Sequence, residues 1–159
     1  MGLITSRLQL MLEAKQHGVD FSSTITLGRQ RISISNKKII KLKKLYNIPD
    51  NNNFDFKTNS RSYAEPFFHH FLGVKKLSVL DYSDYEGADI IHDMNYPIPS
   101  KLEQSFDVLV DGGTLEHIFN FPTAIANCMR MIKEGGNMFI FSMANNHCGH
   151  GFYQFSPEL

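Results

Sequence analysis

The sequence predicts an α/β domain: a mostly parallel sheet of about five strands with helices on both faces. Three observations predict it. Helical and apolar-strand patterns alternate along one 159-residue chain, a length that fits a single domain over 1–159. Val108, Leu109 and Val110 form an apolar run without alternation, as in a strand covered on both sides. Three successive strand patterns each end in an aspartate: Asp81, Asp93 and Asp111.

The elements follow in order. Residues 1–20 are the N-terminal helical segment, where Ser6 with Gln9 forms a capping-box pattern and Gly18 a natural stop. Leu8, Met11 and Leu12 share its apolar face. "STITLG" reads as a short strand ending at Gly28. Residues 31–75 are a helical insertion or crossover. Within it, "SNKKIIKLKKLYN" is a helix capped by Ser35 or Asn36, with Ile39, Ile40, Leu42 and Leu45 among lysines. Ile48 to Ser62 is a loop by composition, and "YAEPFFHHFLGV" is a helix that stops at Gly73. Its neighbours His69 and His70 cannot point the same way on a helix, which disfavours a shared metal. From Lys76 the strands "KLSVLDYS", "ADIIHDMN" and "SFDVLVDGG" follow. Asn120 then caps a helix with Pro122 in its first turn, a stripe of Ile125, Cys128, Met129 and Ile132, and an end at Gly135 and Gly136. "NMFIFSMANN" is the fifth strand.

Composition narrows the function. With 42% hydrophobic and 20% charged residues the chain has no disorder signature. Sixteen basic residues balance sixteen acidic ones, which argues against nucleic-acid or anionic-membrane partners, since both leave a basic excess. Cys128 and Cys148 are too few and too separated for a disulfide framework or zinc knuckle and fit a reducing cytoplasm. Charges interrupt the N-terminal apolar residues, so they make no signal peptide, and no apolar run approaches a membrane span. "MGLITS" matches the short myristoylation pattern, Gly2 with Ser6, which is frequent by chance.

In a parallel sheet, ligands bind beyond the carboxyl ends of the strands. Aspartate is common at turns for its own local hydrogen bonds. Three such residues, with Gly28 at the first strand's end, point instead to a shared ligand rim. A carboxylate after the second strand can accept from both hydroxyls of a ribose, and one after the third from an adenine amino group.

With those residues in place, "SFDVLVDGGTLEHIFNFPTAIANCMRMIKEGGNMFIFSMANN" resembles the fourth strand, helix and fifth strand of class I S-adenosylmethionine-dependent methyltransferases. The order and spacing of "FDVL", "LEH" and "EGG" carry the likeness, and 76–146 is the best-matched core. The resemblance implies a Rossmann-like, doubly wound sheet with S-adenosylmethionine as cofactor. It implies that Asp81, with Tyr82 beside it, holds the ribose, and that Asp93 and Met94 border the adenine. Asp111, Gly112 and Gly113 would lie beneath the methionine part, and Gly28 would be what remains of the first loop. Glu116 and His117 would face the substrate. His117 is the base candidate, with packing or hydrogen bonding as its plainer role. His147, His150 and Tyr153 would line the pocket of a small-molecule or sugar-like acceptor, methylated on oxygen or nitrogen. "HCGH" offers two histidines and one cysteine without a fourth ligand, so no metal is expected.

Two departures stand out. The family's first loop carries an acidic residue and several glycines where this chain has "TLGRQR", and Arg29 beside a sulfonium is a like charge unless it points away or meets the cofactor's carboxylate. The family usually adds two more strands after the fifth. Here Pro157 and Glu158 look like the opening of a helix, and the sheet would end on an exposed fifth strand, covered by a protein partner or by further chain. Two alternatives to the enzyme follow: a catalytically inactive methyltransferase-like binding or assembly module, and a NAD-dependent oxidoreductase. The lone glycine disfavours the last, because a pyrophosphate needs close backbone approach at a helix N-terminus.

Overall fold

A computed structural model describes residues 2–49 and 62–156. The chain runs through β1 (Leu3–Ile4), α1 (Thr5–Gln16), β2 (Ser23–Leu27), β3 (Arg31–Ser33) and α2 (Asn36–Leu45). It continues through β4 (Ser62–Tyr63) and a one-turn helix α3 (Glu65–Phe67), which passes into a π-helical turn over Phe68–Leu72. Then come β5 (Lys76–Asp81), β6 (Ile90–Ile91), β7 (Phe106–Asp111), α4 (Phe121–Met131) and β8 (Ile132–Ile140). Most of the loop expected between Ile48 and Ser62, and Pro157 with Glu158, lie outside the described residues.

The main sheet has five strands in the order β6-β5-β2-β7-β8, all parallel. Counted along the chain this is third, second, first, fourth, fifth, an order compatible with a Rossmann-like fold. The sequence explains the layering. In β2, Ile25 and Leu27 face one side, while Thr24 and Thr26 face the other and bond their hydroxyls to the carbonyls of Phe21 (2.8 Å) and Gly28 (2.9 Å). In β7, Val108 and Val110 join the core beneath α1, α2 and the Phe67–Leu72 turns, and Leu109 joins the opposite core beneath α4. Both faces are therefore covered, as the unbroken apolar run requires. Among the described residues β8 pairs only with β7.

A second, small sheet was not expected. β1 pairs in parallel with β3, and β3 antiparallel with β4. The strand that leaves Gly28 therefore does not enter a helix directly; α2 begins only at Asn36.

Several local expectations need correction. The capping box at Ser6 and Gln9 does not form: α1 starts at Thr5 behind Ile4, with no side-chain cap, so Ser6 already lies inside the helix. The apolar stripe of α4 is rotated. Ala124, Asn127, Cys128 and Met131 are buried, while Met129 is 62% exposed. Gly135 and Gly136 do not end that helix. It ends at Met131, and both glycines lie within β8, where the pairing jumps from Phe106 with Ile132 to Val108 with Asn137. A Cβ on Gly136 would sit 2.7 Å from the Asp107 carbonyl, so glycine permits the close approach of the two strands. The third strand is only Ile90–Ile91, which leaves Asp93 in the turn beyond it. No described helix is long and apolar enough to cross a membrane.

Candidate functional site

A cavity of about 250 Å³ opens at the carboxyl ends of β2, β5 and β6. Leu27 and Leu80 supply its apolar floor, and Asp81, Tyr82, Asp93 and Met94 its rim. Thr114, His117 and Ile118 close it from the segment that follows β7. Parallel strands deliver their last side chains to one edge, and the apolar residues before them are held in the core.

Asp81 is the last residue of β5. Its Oδ1 accepts from the Tyr82 amide (2.6 Å), and Oδ2 faces the end of β2. A Cβ on Gly28 would lie 3.6 Å from that oxygen and 3.5 Å from Thr114 Oγ1. Gly28 itself has φ +66°, the left-handed region in which glycine is favoured, and its amide donates to the Leu80 carbonyl (2.7 Å). The glycine thus seats the first strand's turn against the carboxylate.

Asp93 closes its own turn. Its Oδ1 accepts from the amide (2.9 Å) and side-chain nitrogen (2.8 Å) of Asn95. Met94, next to it, is buried. This wall is held from α4: Asn127 accepts from the Ile98 amide (3.0 Å) and donates to the Tyr96 carbonyl (2.8 Å). Asn120 caps α4 through the Thr123 amide (3.4 Å) and donates to the Asn95 carbonyl (3.1 Å).

Asp111 differs from the other two. Its side chain is fully buried and caps the turn after β7, with Oδ1 accepting from Gly113 (3.1 Å) and Thr114 (2.7 Å) and Oδ2 from Leu115 (3.3 Å). Burial raises its pKa, the three amides oppose that rise, and Glu116 adds to it. So Asp81 and Asp111 end their strands and Asp93 lies in the turn past its own, and of the three only Asp81 and Asp93 line the cavity. Asp111, Gly112, Gly113 and Gly28 lie beside it.

Arg29 points away from the cavity. It pairs with Glu65 (2.5 Å), donates to the Glu86 carbonyl (3.1 Å) and stacks on Tyr63 at 3.7 Å. Gln30 turns inward instead. Its Nε2 donates to Leu27 (2.7 Å) and Gly28 (3.1 Å), and its Oε1 packs against Gly112 without a hydrogen-bond partner.

The remaining candidates form a second group. Glu116 is fully buried within the turn Leu115–His117, and Ser142 Oγ donates to its Oε2 (3.1 Å). The chain after β8 folds back onto this turn. The amides of Phe152 (2.8 Å) and Tyr153 (3.2 Å) both donate to the Glu116 carbonyl, and a Cβ on Gly151 would lie 2.6 Å from it. His150 then stacks edge-on against His117, ring centres 4.7 Å apart, with exposed His147 on its other side at 5.6 Å. Tyr153 spends its hydroxyl on the Phe119 carbonyl (2.6 Å) and its ring on Phe121. His117 touches both groups, since it also lines the cavity.

The sequence reading missed His92, Asn95, Thr114 and Ile118 on the cavity wall, and Asn127 behind it. Asn127 gave no signal, because the stripe read from the sequence (Ile125, Cys128, Met129 and Ile132) leaves it off the buried face that the rotated helix gives it. Compared with protein-family models, curated proteins and solved structures, the chain gives no match.

Proposed function

We propose that the protein binds S-adenosylmethionine at the carboxyl ends of β2, β5 and β6 and transfers its methyl group to a small-molecule acceptor. The observation that carries this reading is the cavity itself, with the carboxylate of Asp81 at the end of the second strand facing Gly28 at the end of the first. A carboxylate there suits the paired hydroxyls of a ribose, and Asp93 with Met94 suits an adenine edge and face. Leu27, Leu80 and Ile118 supply apolar surface for the base. Methyl transfer from a sulfonium needs mainly alignment of donor and acceptor, so His117 at the cavity mouth serves as base only where the acceptor must lose a proton. Arg29, drawn off by Glu65, does not oppose the sulfonium.

The same geometry disfavours NAD. A dinucleotide's pyrophosphate is held at the N-terminus of the helix that follows the first strand, and here that strand's turn leads into β3. A second reading, the inactive module, is favoured by Gln30, whose side chain packs over Gly112, where the resemblance puts the methionine part. Titration calorimetry with S-adenosylmethionine, adenosine and NAD separates these readings. The enzyme reading expects S-adenosylmethionine to bind and labelled methyl to reach an acceptor from a panel of hydroxyl and amine compounds. Adenosine and S-adenosylmethionine binding equally, with no transfer, favours the module. NAD binding in place of both overturns the proposal.

A further inference from the structure

From the cluster beyond β7 and β8 we infer that Glu116, His117 and His150 form a binding site for a divalent transition-metal cation. Their ligand atoms lie within 4.8 Å of one another. A Zn²⁺-class ion with bonds of about 2 Å holds its ligands roughly 3–4 Å apart, so small side-chain rotations close the set. Glu116 Oε1 and His150 Nε2 are already 3.9 Å apart.

The second observation is the state of those two atoms. Both are buried, and neither has a hydrogen-bond partner. Glu116 is fully buried, so a carboxylate oxygen without a donor is costly there. The nearby cation Arg7 does not supply one, since its Nη1 donates to the carbonyls of Gly2 (3.1 Å) and Gly112 (3.2 Å). A metal ion satisfies Oε1 and Nε2 together.

The surroundings suit such a site. Ser142 Oγ fixes the other carboxylate oxygen, the kind of outer contact that orients a metal ligand. The Gly151 contact and the two amide bonds to the Glu116 carbonyl lock the segment bearing His150 against Glu116. Two imidazoles and one carboxylate select zinc, iron, cobalt or nickel over magnesium or calcium. Three protein ligands leave coordination positions open. The set differs from the "HCGH" grouping of the sequence: the fold supplies Glu116 and His117, about 30 residues earlier, in place of His147 and Cys148. The inference does not rest on the methyl-donor reading, since the metal alone is the ligand; with the metal bound, the His117 lone pair is taken and His117 does not also serve as the base.

The test is a titration of chelator-stripped protein with Co²⁺, followed by visible absorption, and then displacement by Zn²⁺. Expected are saturation at one equivalent with Kd below about 0.1 mM, and a loss of affinity of at least roughly tenfold in Glu116→Gln and His150→Ala. His17→Ala, at the exposed end of α1, should bind as the wild type does. Long-range ¹H–¹⁵N spectra of the wild type provide a readout that needs no variant. Zn²⁺ should move the ring nitrogens of His117 and His150 and leave those of His17 and His69 in place. Absence of saturable binding, unchanged affinity in folded variants, or shifts confined to His147 would overturn the inference.

Discussion

Asp81 and Asp111 end the two strands that flank β2 with the same residue and meet opposite fates. Asp81 keeps an oxygen turned toward Gly28 at the cavity, whereas Asp111 is fully buried and accepts three amides. Asp81→Ala should therefore weaken S-adenosylmethionine by about 2 kcal/mol, roughly thirtyfold, without loss of fold, as read by calorimetry and circular dichroism. Asp111 is a stability residue with a defined pH sign. Its folded pKa is raised by burial, so the folded state holds the proton more tightly than the unfolded one. That contribution is complete below the ordinary value of 3.8 and is lost as the pH climbs through the raised value. Denaturant midpoints of the wild type should fall relative to those of Asp111→Asn over that climb, and parallel profiles would contradict the assignment. The two thiols also differ. Burial pushes the Cys128 thiol up to about 12, while Cys148 is exposed. One thiol per native chain should react quickly with a disulfide reagent at mildly alkaline pH, and Cys148→Ser should remove that reaction.

At the scale of elements, α4 holds the cavity wall as well as covering the sheet. Asn127 accepts from Ile98 and donates to Tyr96, so Asn127→Ala leaves buried backbone groups unpaired. It should cost about 1–3 kcal/mol in denaturation and speed amide exchange at Ile98. Much of this level was legible beforehand. β7 holds an unbroken apolar run, β2 alternates threonine with isoleucine and leucine, β2, β5 and β7 are each closed by glycine or aspartate, and α1, α2 and α4 carry their apolar residues at helical spacing. The rest was hidden for physical reasons. β1, β3 and β4 are two or three residues long, too short to show a period, and they exist only through pairing with one another. The glycines at 135 and 136 read as a helix stop but accommodate a register jump between β7 and β8. The return of His150 onto Glu116 depends on long-range packing that no local pattern encodes.

For the whole molecule, the five parallel strands make a rigid floor and the loops at their carboxyl ends make the site. β2 and β7 are central and β6 is a two-residue edge strand, so amide exchange should be slowest at Ile25–Leu27 and Val108–Val110 and fastest in the sheet at Ile90 and Ile91. We propose that the cavity's rim frames an adenosine-bearing methyl donor. Titrating S-adenosylmethionine into the wild-type protein and into Asp81→Ala, with NAD as the contrasting ligand, tests it most directly. Saturable binding of one equivalent to the wild type is expected, with at least tenfold weaker binding to the variant (about 1.4 kcal/mol) and no heat with NAD. Equal affinity of the two proteins for S-adenosylmethionine, or saturable NAD binding alone, would contradict it.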